Sequence, residues 1–238
     1  RKYIVATCLI VVIIALFNYC SDCSHKERSS LVHEYGDILD ISYTPSDSTY
    51  CRGWFSDQGS WMGFTIPQKE QWVNGFCGPF NLESRYWLSP SLVSVGFAGH
   101  MDAVFHPDSV SYFPGELYMK SFSDAGTIAQ RLLFVDKSNA LLECTSEDNK
   151  PLCFYGQVLA DKVSQNVMNN SYTFSLPSGD QCLLTFPEDT KIRIYDGGYE
   201  ATTPKGKHFY VVISFLNNPK GQVFDVNAIK DIQSQPTK

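Results

Sequence analysis

From about residue 30 onward, apolar side chains fall in short alternating runs rather than in stripes of helical period. Candidate strands are Ile38–Tyr43, Trp61–Ile66, Leu92–Phe97, Val110–Phe113, Glu116–Phe122, Thr127–Val135, Ala140–Cys144, Leu152–Ala160, Ser171–Leu176, Gln181–Phe186, Lys191–Tyr195 and His208–Phe215. They recur about every 10 residues and are rich in Val, Ile, Phe, Tyr and Thr, the signature of an antiparallel sandwich. Turn residues separate them at Pro45-Ser46-Asp47, Pro114-Gly115, Asp148-Asn149-Lys150-Pro151, Ser178-Gly179-Asp180, Asp196-Gly197-Gly198 and Pro204-Lys205-Gly206. Short helices are expected at Glu27–Tyr35 and Val226–Gln233. The expected fold is all-β: a large antiparallel β-sandwich, supersandwich-like, with a few short helices. No internal repeat, P-loop, GxGxxG or alternating βα pattern appears, which argues against a nucleotide-binding α/β domain.

The first residues follow a different pattern. Arg1 and Lys2 precede an uninterrupted apolar or small run, Ile4–Phe17. That order is the charged and apolar part of a secretory signal, and the run is shorter than the ~20 residues of a membrane span. Asn18-Tyr19-Cys20-Ser21-Asp22-Cys23 follows. A cysteine just past the apolar run resembles the lipid-attachment cysteine of bacterial lipoproteins, in particular the looser lipobox of the Bacteroidetes. The resemblance implies export from a Gram-negative cell and a cell-surface or periplasmic protein held to the membrane through lipid on Cys20. Phe17 and Tyr19 depart from the strict lipobox. An uncleaved anchor and a zinc half-site at Cys20 and Cys23 are the rival readings, but no second CxxC or paired His completes a zinc site. The expected organisation is a signal peptide over 1–19, a tether over 20–35, a sandwich over 36–225, and a linker or start of a further domain over 226–238.

Charge removes one class of partner. The net charge of -6, with no stripe of Lys and Arg, gives no electrostatic footprint for nucleic acid. No cofactor motif is present. The eight cysteines are irregularly spaced and do not suggest a disulfide scaffold. Cys144 and Cys153 bracket the expected 148–151 turn; they read either as two buried free thiols or as a disulfide across a hairpin.

Residues 51–90 carry all four tryptophans, Trp54, Trp61, Trp72 and Trp87, interleaved with glycine and proline. An indole beside a carboxylate or amide suits a sugar: the ring covers the C–H face and the polar group takes hydroxyls. Trp54 with Asp57 and Gln58, and Trp72 with Asn74, are the candidate carbohydrate-binding groups. The competing reading is that these rings fill the core between two sheets. Trp54 precedes a polar turn and is the ring expected to be exposed; Trp61 begins the apolar run Trp-Met-Gly-Phe-Thr-Ile and is expected to be buried.

Catalytic signals are weak. Glycosidase chemistry needs two carboxyl groups roughly 5–9.5 Å apart. Asp57, Glu70, Glu83, Asp102 and Glu116 are available, but the sequence pairs none of them. His100, Asp102, His106 and Asp108 offer metal-ligand types without a third well-spaced ligand, and no metal site is assigned. No nucleophile elbow is present. A Cys–His pair has nothing to single out its cysteine.

Four stretches carry a family resemblance: WFSDQGSWMGFTIP…NGFCGPF, YFPGELYMKSF (112–122), LLFVDKSNALLEC…NKPLCFYG and HFYVVISF (208–215). Together they resemble the N-terminal β-sandwich of bacterial six-hairpin, trehalase-like glycoside hydrolases, over roughly residues 36–216. In that family a helical barrel C-terminal to the sandwich supplies the general acid and base. The resemblance implies a non-catalytic sandwich that helps shape an oligosaccharide or polysaccharide cleft, with a helical barrel domain as its partner. The family's catalytic carboxylates map to no position in this sequence. The alternative is a free-standing carbohydrate-binding or structural surface lipoprotein without enzyme activity.

Overall fold

The computed structural model describes residues 41–45, 53–160 and 163–216. The leader, Cys20, the tether, the two expected terminal helices and Cys23 and Cys51 lie outside the described residues. Thirteen strands and one short 3-10 turn at Lys69–Gln71 make up the described structure. The all-β expectation holds: the strands form two antiparallel sheets.

The smaller sheet has the order β1-β2-β3, with β1 Met62–Thr65, β2 Cys77–Asn81 and β3 Tyr86–Trp87. The larger sheet runs β5-β6-β7-β8-β13-β11-β10-β9, from His106–Phe113 (β5), Glu116–Ser123 (β6), Gly126–Phe134 (β7) and Asn139–Gln157 (β8) to Gly198–Leu216 (β13), Gln181–Thr185 (β11), Ser171–Ser175 (β10) and Ser164–Met168 (β9). Two further strands, β4 (Ser94–Phe97) and β12 (Lys191–Tyr195), pair only with β8 and β13 respectively.

β8 and β13 are the spine. Each is 19 residues long, and they pair from Gly198↔Gln157 to Ser214↔Asn139. One half of this ribbon joins β7 and β11; the other half joins β4 and β12. The sequence pattern predicts two strands here, separated by a turn at 148–151, and a last strand starting only at His208. The structure corrects both expectations. Lys150 and Pro151 lie within β8, opposite Gly206 and Lys205 of β13, and the register slips on either side of them. Proline cannot donate to a ladder and is tolerated in a strand at such bulges. The Thr203 hydroxyl repairs the gap by accepting from the Leu152 N–H at 3.0 Å. Cys144 and Cys153 therefore sit on one continuous strand rather than across a hairpin, and both are free and buried.

The smaller sheet packs on the β5–β8 part of the larger one. Phe55 and Phe64 meet Phe134, with ring centroids 5.4 and 5.9 Å apart. Inward residues alternate along the strands, as in Leu117, Met119 and Ser121 of β6 and Ile128, Gln130, Leu132 and Phe134 of β7, all buried. At the other end Tyr172, Phe186 and Tyr199 form a second buried aromatic group, with Tyr172 and Tyr199 4.8 Å apart. The Tyr199 hydroxyl finds the Leu92 carbonyl at 2.8 Å, as a buried phenol requires. Gly156 lies against the same carbonyl: a Cβ there would be 2.0 Å from Leu92 O.

Candidate functional site

The outward face of the small sheet carries a row of rings. Gly63 of β1, Phe80 of β2 and Trp87 of β3 are direct cross-strand partners. Gly63 brings no side chain, and Trp54 from the preceding segment takes the space above it. That segment is placed by the Phe55↔Phe64 bridge, which sends Phe55 into the core. Trp54 stacks on Phe80 at 5.1 Å and 28°. Phe80 meets Trp87 at 5.0 Å, and Trp87 stacks on Tyr43 at 5.5 Å. Phe80 and Trp87 are buried, whereas Trp54 is 41% exposed. The result is an aromatic ledge whose outermost ring is fixed by what lies beneath it.

Asp57 and Gln58 form the turn that follows. Gln58 and Gly59 have positive φ, 55° and 66°, and the Ser60 N–H donates to the Asp57 carbonyl at 3.0 Å. Asp57 Oδ1 accepts from the Gln58 N–H at 2.7 Å. Its Oδ2 lies beside the β5–β6 turn, 3.6 Å from where a Cβ on Gly115 would stand. Asp57 is half-buried and Gln58 exposed.

The other candidate pair is placed differently. Asn74 is buried, and its side chain is committed internally: Nδ2 donates to Val95 O at 2.7 Å, and Oδ1 accepts from Ser121 Oγ at 2.5 Å. The Gln130 amide also reaches the Asn74 carbonyl at 3.3 Å. Trp72 is half-buried, packs on the core, and its Nε1 is buried. Trp61 corrects the sequence reading. It is 43% exposed, because strand alternation begins one residue later and sends Met62 and Phe64 inward.

The remaining candidate chemistry is dispersed. Glu116 is engaged by Arg131 at 2.5 Å, and Arg131 also reaches Glu143 at 3.1 Å. Asp108 sits 3.8 Å from Lys120. His100, Asp102 and His106 line one cleft, yet no group of three His, Cys, Asp or Glu side chains among the described residues is arranged to hold a metal. Burial raises the thiols of Cys77, Cys144 and Cys182, which keeps them protonated and unsuited to nucleophilic attack.

One polar cluster had no signal in the sequence. Asp180, in the β10–β11 turn, accepts at Oδ2 from Tyr86 Oη at 2.5 Å, Ser178 Oγ at 2.9 Å and Asn81 Nδ2 at 3.2 Å. Burial, and then the bond to Asp180, raise the Tyr86 phenol, so this group is a donor rather than a base. Ser178 is a neighbour in the turn, but Tyr86 and Asn81 lie 94 and 99 residues from Asp180 in sequence, which no local pattern reveals.

No protein-family profile and no curated protein matches the chain. Among solved structures, heparan sulfate lyase HepC from Pedobacter heparinus is 12% identical, with a TM-score of 0.41, covering 67% of this chain and 29% of that one. A glycoside hydrolase family 81 protein from Clostridium thermocellum is 13% identical, with a TM-score of 0.42, covering 80% and 25%. A heparinase III structure is 11% identical, with a TM-score of 0.41, covering 66% and 28%. The chain thus spans less than a third of the length of these proteins. Overlaps of this quality do not establish a common fold.

Proposed function

We propose that this chain is a carbohydrate-handling β-sandwich: the non-catalytic N-terminal domain of a cell-surface, trehalase-like glycoside hydrolase, which helps to shape the cleft beside its catalytic barrel. The observation that carries the reading is the Trp54 ledge. A ring held over Gly63 and Phe80, with much of its surface in solvent, loses little freedom when a sugar stacks on it. Asp57 and Gln58 supply acceptor and amide groups in the turn that follows. Their positive-φ turn is the sort of backbone that strands do not use, and it projects polar groups at the sheet edge. Export and lipid attachment at Cys20 belong to the same proposal and rest on the order of charge, apolar run and Cys-Ser-Asp.

The test is a binding titration of the purified chain with neutral oligosaccharides, followed by tryptophan fluorescence, on wild type and Trp54→Ala. Binding that Trp54→Ala weakens about tenfold, the equivalent of one lost aromatic stack, is the expected result. Binding unaffected by Trp54→Ala, or absent from the wild type, overturns the ledge as the sugar site. Mass spectrometry of membrane-extracted protein tests the anchor: the mature chain should begin at a lipid-modified Cys20.

A further inference from the structure

A cleft of about 600 Å³ opens where the β4–β5 loop meets the β6–β7 turn, lined by His100, Asp102, Val104, His106, Phe122 and Asp124 among others. It lies outside the Trp54 ledge and shares no residue with it. Its two walls are anchored on one buried ring. Phe97 stacks on Phe105, 6.3 Å away, which fixes the end of the loop. The same ring fills the space beside Gly126, where a Cβ would stand 2.9 Å from Cζ. Lys150 of β8 ties the arrangement together: its ammonium sits 5.3 Å from the Phe97 centroid, donates to the Ala125 carbonyl at 2.8 Å and is paired with Asp148 at 2.8 Å. Within the loop, the His100 N–H bonds Phe97 O and the Ala103 N–H bonds His100 O. In the turn, Ser123 Oγ accepts from the Ala125 N–H. Both walls are therefore built before any ligand arrives.

The lining has a definite chemistry. Phe122 is 47% exposed and Val104 is 68% exposed, so both leave apolar surface at the cleft they line. The Phe122 ring is flanked by its cross-strand partner His106, with ring centroids 5.7 Å apart. Asp102 and Asp124 offer acceptors, and the imidazoles of His100 and His106 offer both donor and acceptor. Neither lysine nor arginine is among the lining residues. Carboxylates without cations repel sulfated or uronate sugars but accept hydroxyl hydrogens well, and a bare aromatic ring suits a sugar's C–H face.

We propose that this cleft is a second subsite, binding a neutral sugar unit with Phe122 as its stacking floor and Asp102 and Asp124 as hydroxyl acceptors. The proposal rests on the reading of the domain as carbohydrate-handling. It adds a second position and a charge class to that reading.

The experiment is amide NMR on the full chain, titrated separately with maltotetraose, cellotetraose, a heparan sulfate tetrasaccharide and calcium chloride. Wild type, Phe122→Ala, Asp124→Asn and Trp54→Ala are compared. A neutral tetrasaccharide is expected to shift residues 100–104 and 122–124. Phe122→Ala should weaken this about tenfold and Asp124→Asn less, whereas Trp54→Ala should leave it unchanged. Phe122 and Asp124 are both exposed, so both variants should fold, Asp124→Asn with the wild-type melting temperature and Phe122→Ala, which loses its contact with His106, with a somewhat lower one; should one fail to fold, the other decides. Shifts confined to the Trp54–Gln58 segment would overturn the second subsite while sparing the ledge. Cleft shifts produced by the heparan fragment or by calcium, and not by a neutral sugar, would overturn the ligand class. Silence at both places with every glycan would overturn this proposal and the reading beneath it together.

Discussion

A Cβ atom at position 63 would stand 2.8 Å from Cδ1 of Trp54 and 2.9 Å from its Cγ. The indole occupies the volume that a side chain on β1 would claim, and only glycine permits the stack on Phe80 below. Gly63→Ala must therefore push the ring off its seat. The expected cost is about 1–3 kcal/mol, as for overpacking elsewhere. Trp fluorescence should shift and the melting temperature should fall, while Gly59→Ala, in open space but at positive φ, reports backbone strain alone.

Three of the four tryptophans should separate by stability. Trp54 and Trp61 are 41% and 43% exposed, so truncating either to Ala should cost about 2 kcal/mol, roughly half the loss at a buried aromatic. Trp87, 6% exposed between Phe80 and Tyr43, should cost about 3–5 kcal/mol. Urea unfolding of the three variants gives the order directly.

Asn74→Ala removes the amide that joins Val95, Ser121 and, at 3.5 Å, Gln130 between the sheets, while the Gln130 bond to the backbone carbonyl of residue 74 stays. It leaves a buried carbonyl and a buried hydroxyl without that partner, at an expected cost of about 2–4 kcal/mol. Sugar affinity measured on the folded fraction should not change.

Alkali should weaken the fold before it ionises the native thiols. Burial pushes Cys77 from 9.0 to about 12 and raises Cys144 and Cys182 as well. A raised pKa means that the native state keeps protons the unfolded chain releases. The contribution is complete below about pH 9 and is lost as the pH climbs from there towards the native values. Each thiol ionised only in the unfolded chain lowers stability by about 1.4 kcal/mol per pH unit. Urea midpoints should be flat to about pH 8 and fall at pH 10, and Cys182→Ser should flatten the fall.

Tyr86→Phe should loosen the clasp between the small sheet and the β10–β11 turn. Asp180 keeps Ser178 and Asn81, and the site is part-exposed, so the loss should be about 1 kcal/mol. Hydrogen exchange should quicken at residues 176–181 while the β6–β7 amides stay unchanged.

Much of the sheet was legible because alternation and turn chemistry are local. Pro114-Gly115, Ser178-Gly179-Asp180 and Asp196-Gly197 mark real hairpins. The same reasoning misplaced Lys150-Pro151 and Pro204-Lys205-Gly206. There the breakers serve a bulge within paired strands, which only the long-range partner reveals. β2 was unread because Cys77-Gly78-Pro79 has poor strand propensity; its place is held by the strands on each side. β9 alternates weakly because it is an exposed edge. At the candidate site, the Trp54 turn was readable from its polar residues. Asn74 was not, since an asparagine looks alike in sequence whether it faces water or three internal partners.

The position of β13 also bears on how the protein is made. Its residues, 198–216, are the last of the described strands to leave the ribosome, yet they lie in the middle of the sheet. Until they emerge, β8 has one long edge with no partner, and β9, β10 and β11 have nothing to join. Unpaired edges recruit other chains. The nascent protein thus carries an open flank from the completion of β8 until β13 arrives, and anything that shields that flank must recognise extended backbone rather than a folded surface.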